Sequence, residues 1–143
     1  MSAGNINSRA APMPEFIRIL NQNKICKMKS LIKLEEMGVF ALSVFFLYKL
    51  NMHVSWWLYV ILFFSPDIGM IGYLFNTKVG AVTYNLFHHK AVGCILILLG
   101  VIQTNDYLLF AGLLFLAHSS FDRILGYGLK YPDSFKHTNI GYM

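Results

Sequence analysis

Four side chains carry the chemical content of this sequence: Asp67, His88, His118 and Asp122. Each lies in or against a long apolar run. A charge there costs on the order of 3 kcal/mol at a bilayer midplane, so such groups usually face a protein interior and mark a functional site. His118 and Asp122 stand one helical turn apart at i,i+4, on one face. They can share a divalent metal ion, or the carboxylate can orient the imidazole as an acid or base. A self-satisfied His–Asp hydrogen bond is the plainer alternative. His88 has Tyr84 one turn before it and Asn85 at i,i+3, a polar stripe that interhelical hydrogen bonds alone would explain. Asp67 closes a Ser65-Pro66-Asp67 step. That is a helix-start signature with Ser65 as N-cap, or else a simple proline kink in a longer helix.

The elements that must position these residues are membrane helices. Of 143 residues, 56% are hydrophobic and 13% charged, against roughly a quarter charged in soluble domains. A bilayer core of about 30 Å calls for ~20 mostly apolar helical residues. Stretches near 34–52, 56–75, 79–102 and 107–126 meet that requirement. The first is marginal, with Lys33, Glu35 and Glu36 expected at the headgroups. The second opens on Trp56, Trp57 and Tyr59, rings that favour the membrane interface. Short polar links, Asn76-Thr77-Lys78 and Gln103-Thr104-Asn105-Asp106, make consecutive helices antiparallel. The expected fold is all-α: an integral membrane bundle of four antiparallel transmembrane helices, the second kinked or broken at Pro66. Residues 31–130 form the bundle, 1–30 a basic extension and 131–143 a short tail that either folds back as a lid or stays disordered.

Basic residues set the orientation. Arg9, Arg18, Lys24, Lys27, Lys29 and Lys33 precede the first span, and Lys78, Arg123, Lys130 and Lys136 fall on the same side, with only Lys49 opposite. The positive-inside rule then puts both termini in the cytoplasm, with the chain in the cell membrane. Within the extension, Pro14 to Lys29 mixes apolar and basic residues and is a candidate interfacial helix, although Asn21-Gln22-Asn23 interrupts it. Cys26 and Cys94 offer neither a disulfide framework nor a zinc site. No signal-peptide cleavage is expected. The net charge of +5 is a membrane-orienting pattern, and no nucleic-acid motif accompanies it. The expected partners are the lipid bilayer and, through small residues such as Gly69 and Gly72, another helix of this chain or of a second copy.

From about Leu31 to Gly141 the sequence resembles the small bacterial membrane proteins grouped as domain of unknown function 4260. The resemblance rests on Trp56-Trp57, Pro66-Asp67, Gly72-Tyr73, Tyr84-Asn85 with His88, Ala117-His118, and Phe121-Asp122-Arg123 leading into Gly126-Tyr127-Gly128-Leu129-Lys130-Tyr131-Pro132. It implies the membrane architecture and points at the same polar residues, without supplying a reaction. The family's Thr-His-Leu-Gly ending is Thr138-Asn139-Ile140-Gly141 here, so no tail histidine belongs to the expected site.

Three functions fit these residues. In a metal-dependent hydrolase acting on a lipid-linked or phosphorylated substrate, Asp67, His88, His118 and Asp122 would be the metal ligands or acid–base groups. Tyr84, Asn85, Arg123 and Lys130 would bind the substrate, with Arg123 and Lys130 on an anionic head group. In a small ion or proton carrier the same His and Asp side chains would form a relay, which in so narrow a bundle needs oligomerisation. In a non-catalytic scaffold they would only fix helix packing.

Overall fold

The structure is a computed structural model, and it describes residues 13–50 and 52–142; Arg9 and the first part of the basic extension lie outside the described residues. Helix α1 runs from Glu15 to Lys49, with Pro14 at its N-cap and no proline inside. At 35 residues it is about 52 Å long, well beyond the ~30 Å of a hydrocarbon core. The helix continues through Asn21-Gln22-Asn23, so residues 15–30 of the extension and the expected first span form one element. Glu15 to Leu31 are all exposed. Beyond them the less exposed positions Ile32, Glu36, Phe40, Ser43, Leu47 and Leu50 recur every three or four residues and give α1 a single packing stripe.

Helix α2 covers Trp56–Phe63, and the hydrogen-bond ladder then tightens into a 3-10 helix over Ser65–Leu74 with Pro66 in its first turn. Pro66 lacks the N–H that an α ladder would require there. Helix α3 spans Thr77–His88, α4 Lys90–Ile102 and α5 Asp106–Leu125. Asn76 and Asn105 cap α3 and α5 with their side-chain oxygens. Gly126, at φ +99°, ends α5 in the left-handed conformation that glycine adopts without a Cβ penalty. The chain finishes in a small antiparallel pair, β1 His137–Thr138 and β2 Gly141–Tyr142.

Three segments are long and apolar enough to cross a membrane among the described residues: Trp56–Leu74, Thr77–Ile102 and Asp106–Leu125. α1 is not one of them, because Lys33, Glu35, Glu36 and Lys49 crowd its apolar half. The expected third span over 79–102 is not one continuous helix. His89 takes an extended conformation (φ −81°, ψ 118°) and separates α3 from α4.

α5 is the central element, in contact with α1, α2, α3 and α4. Leu47 packs with Phe110, Leu113, Leu114 and Ala117 of α5 in a modest core, and large side chains such as Leu74, Val82, Leu98 and Ile102 point outward. An apolar exterior over so small a core is the arrangement expected where lipid is the solvent. The 3-10 helix lies against α3, so Gly69 and Gly72 make their close contact within the chain. A Cβ on Gly72 would collide with the Thr83 side chain and with the Gly80 backbone. Thr83 Oγ1 donates to Gly69 O at 2.6 Å and ties the two elements together.

Candidate metal centre

The break at His89 builds the first part of the site. Ending α3 at His88 leaves carbonyls without a helical donor, and such groups need partners when buried. His88 Nδ1 meets Tyr84 O at 2.9 Å, and Ser119 Oγ on α5 donates to His88 O at 2.6 Å. His89 caps α4 by accepting from Ala91 N at 3.2 Å. A carbonyl can only accept, so the proton of His88 resides on Nδ1 and Nε2 presents a lone pair. The Tyr84 ring stacks on the imidazole at 3.8 Å and fixes its plane.

That lone pair points into a cluster drawn from three helical segments. His88 Nε2 lies 3.1 Å from His118 Nε2, 3.3 Å from Asp122 Oδ2 and 3.5 Å from Asp67 Oδ1. His118 Nε2 lies 3.4 Å from Asp67 Oδ1 and 3.9 Å from Asp122 Oδ1. One ligand atom from each of the four residues falls within 4.8 Å of all the others. Tetrahedral ligands held about 2.0–2.1 Å from a zinc ion are separated by about 3.3 Å, so the shorter contacts match a first-row divalent ion and the wider ones would have to close by side-chain movement on binding. The Asp67 side chain is 34% exposed, whereas those of His88 and His118 are 3% and 1% exposed. The cluster therefore has one open edge, on the side of the 3-10 helix. Phe63 and Phe64 pack edge-on against His118 and close it on the α2 side.

The surrounding groups orient these four. Tyr84 Oη donates to Asp122 Oδ2 at 2.6 Å. Carbonyl and hydroxyl partners of this kind are how metal-binding imidazoles and carboxylates are commonly held. His118 Nδ1 is buried with no such partner among the described residues.

The residues expected to bind substrate take different places. Asn85 turns to the tail, where its Nδ2 donates to Lys130 O at 2.9 Å and its Oδ1 accepts from Lys130 N at 2.7 Å. The tail is thereby folded back onto the helices. Lys130 is buried, its Nζ 4.1 Å from the Phe135 ring centroid, 5.2 Å from Tyr84 and 5.4 Å from Tyr127. Burial pushes its ammonium below the usual lysine value, and the nearby Asp122 carboxylate works in the opposite sense. Arg123 pairs with Glu36 of α1 at 3.3 Å, and Lys90 meets the same carboxylate at 2.5 Å.

Sequence reasoning passed over Glu36 and Lys90, reading the first as a headgroup charge and setting the second aside. The signal for Glu36 was its place in the stripe with Phe40, Ser43 and Leu47, which Glu35 does not share. Tyr73 was also missed as a site neighbour. Its hydroxyl is buried without a partner among the described residues, and its ring packs edge-on at 5.1 Å against Phe135.

No curated protein and no solved structure matches the chain. Residues 29–143 match the family model described as a domain of unknown function, DUF4260, a stretch that contains every residue of the cluster and of the folded-back tail. The chain belongs to the DUF4260 family.

Proposed function

We propose that this protein is a membrane-embedded, metal-dependent hydrolase whose substrate is lipid-linked or phosphorylated. The convergence of Asp67, His88, His118 and Asp122 carries the reading. Two carboxylates and two imidazoles, drawn from three helical segments, bring ligand atoms within 4.8 Å of one another, close enough for small side-chain movements to gather them on one divalent ion. Two neighbouring carboxylates in a mostly buried site repel unless a cation or proton stands between them. When bound, such an ion lowers the pKa of its water to about 7 and makes a nucleophile available at neutral pH. Asp67 and Asp122 would hold it from opposite helices, His88 would bind through the lone pair left by its bond to Tyr84, and substrate would enter past Asp67.

In this reading the apolar half of α1 is a fourth span, running antiparallel to α5 in a bundle whose second helix is broken at Pro66. The sharing of Glu36 between Lys90 and Arg123 supports it, because it neutralises the charge that would otherwise keep α1 out of lipid. Both termini then face the cytoplasm of a cell-membrane protein, as the basic residues favour. A proton relay is the second reading, favoured by the 3.1 Å approach of the two imidazole Nε2 atoms.

The deciding experiment is the metal content of detergent-purified full-length protein beside a monodisperse His118→Ala, Asp122→Ala double variant. About one divalent ion per chain, lost in the variant, is the expected result and calls for a phosphate-release screen over phospholipid substrates. Protein that stays metal-free after growth in metal-supplemented medium would sink the hydrolase mechanism and leave the relay.

A further inference from the structure

A second concavity lies beyond the end of α5, between that helix, α1 and the tail. It has a volume of about 550 Å³, and its wall carries Lys29, Lys33, Arg123 and Lys136 beside the rings of Tyr127 and Phe135. That volume is within the ordinary range for small-ligand sites. Lys29, Lys33 and Lys136 have no carboxylate partner among the described residues, and Arg123 alone is answered, by Glu36. Glu36 is itself shared with Lys90, so the cleft keeps a strong positive excess. The nearby Asp133 is engaged by His137 at 2.7 Å.

Cations gathered in one concavity repel each other and attract a compact anion, and Arg and Lys are the side chains that hold phosphate oxygens. Ile32, Leu125 and Ile140 add an apolar side to the same cleft. We infer that this cleft is a phosphate-binding site, taking the phosphate of an anionic lipid head group or of a free phosphate ester. Tyr127 and Phe135 form part of its wall and also flank Lys130, and Arg123 directly follows the cluster residue Asp122. No residue of the candidate metal centre lines this cleft, and phosphate binding there requires no metal.

The test uses full-length protein in phosphatidylcholine micelles doped with phosphatidic acid, with retained lipid read by native mass spectrometry. Wild type is compared with a Lys29→Gln, Lys33→Gln, Lys136→Gln variant and with a Lys24→Gln, Lys27→Gln, Lys78→Gln control that loses the same charge elsewhere. A lysine that contacts the phosphate directly contributes roughly fivefold, so the cleft variant should lose phosphatidic acid preference by on the order of 100-fold, while the control, whose lysines do not line the cleft, keeps most of it. Equal loss in both variants, or no preference in wild type, would overturn the proposal. Displacement of the lipid by inorganic phosphate would assign the site to phosphate in any carrier; preference that resists inorganic phosphate would assign it to the lipid. An Asp67→Asn protein tested in parallel separates this inference from the hydrolase reading, since loss of metal should leave lipid preference unchanged.

Discussion

Two buried polar groups draw on α5, one through Arg123 and the other through His118 and Asp122, and they differ in how complete they are. Around Glu36, one carboxylate meets two cations, Lys90 and Arg123, and donors face acceptors throughout. Around His88, two carboxylates and a second imidazole surround a nitrogen whose proton is committed to the other side of its ring. In the first arrangement every charged group meets an opposite charge, and it explains itself as a clamp between α1, α4 and α5. The second concentrates acceptors on one point, and only a cation or mobile protons would balance it. Similar burial thus separates a structural ion group from a site with chemistry still to perform.

The sharpest way to break that contrast is to exchange the lesions. Glu36→Gln leaves two cations facing a neutral amide and should destabilise the protein by about 3–5 kcal/mol while leaving metal stoichiometry unchanged. His118→Gln should do the reverse, abolishing metal binding with a smaller change in stability. Thermal unfolding in detergent read beside metal analysis distinguishes the two, and metal loss in Glu36→Gln would erase the distinction.

Tyr84→Phe removes the hydroxyl that orients Asp122 without altering the stacked ring. A metal affinity lowered by about 10–100-fold, with near-normal unfolding, is the outcome expected of such a supporting group. Competition with a chelator would measure it, and unchanged affinity would remove Tyr84 from the site.

Asn85→Ala takes both hydrogen bonds from the Lys130 backbone. The tail should detach at a cost of about 1–3 kcal/mol, seen as faster amide exchange over residues 127–142. If the tail stays protected, its aromatic packing around Lys130 holds it instead.

The smallest effect concerns pH at the tail. The hydrogen bond to His137 holds the exposed Asp133 carboxyl below its ordinary value near 3.8. Because the folded value is lowered, the ionised carboxylate stabilises the tail above the ordinary carboxylate pKa, and that contribution disappears as pH falls through the lowered value. Exchange at His137–Tyr142 in acid should respond in wild type and not in Asp133→Asn.

Much of the architecture was legible before any coordinates. Apolar runs over 56–75 and 107–126 correspond closely to the segments Trp56–Leu74 and Asp106–Leu125, because twenty apolar residues have few other stable arrangements. The interruption at His89 was not legible. Nothing in Phe87-His88-His89-Lys90 resembles a helix stop, and the break is held by Ser119, thirty-one residues away, accepting the task of donating to the freed carbonyl. The fate of Arg123 was hidden for a similar reason, since its partner Glu36 is eighty-seven residues distant in the chain.

Composition and spacing by themselves determined that this is a chain of helices apolar enough to cross a membrane, with acids and histidines set into apolar sequence, because hydropathy and the i,i+4 rule are local properties. Which of those polar groups meet was decided by tertiary packing alone. The closeness of the 3-10 helix to α3 at Gly72 and Gly80, and the turn of the backbone at His89, bring Asp67, His88, His118 and Asp122 within 4.8 Å of one another. Distances of that kind depend on contacts between residues far apart in sequence, and no local pattern encodes them.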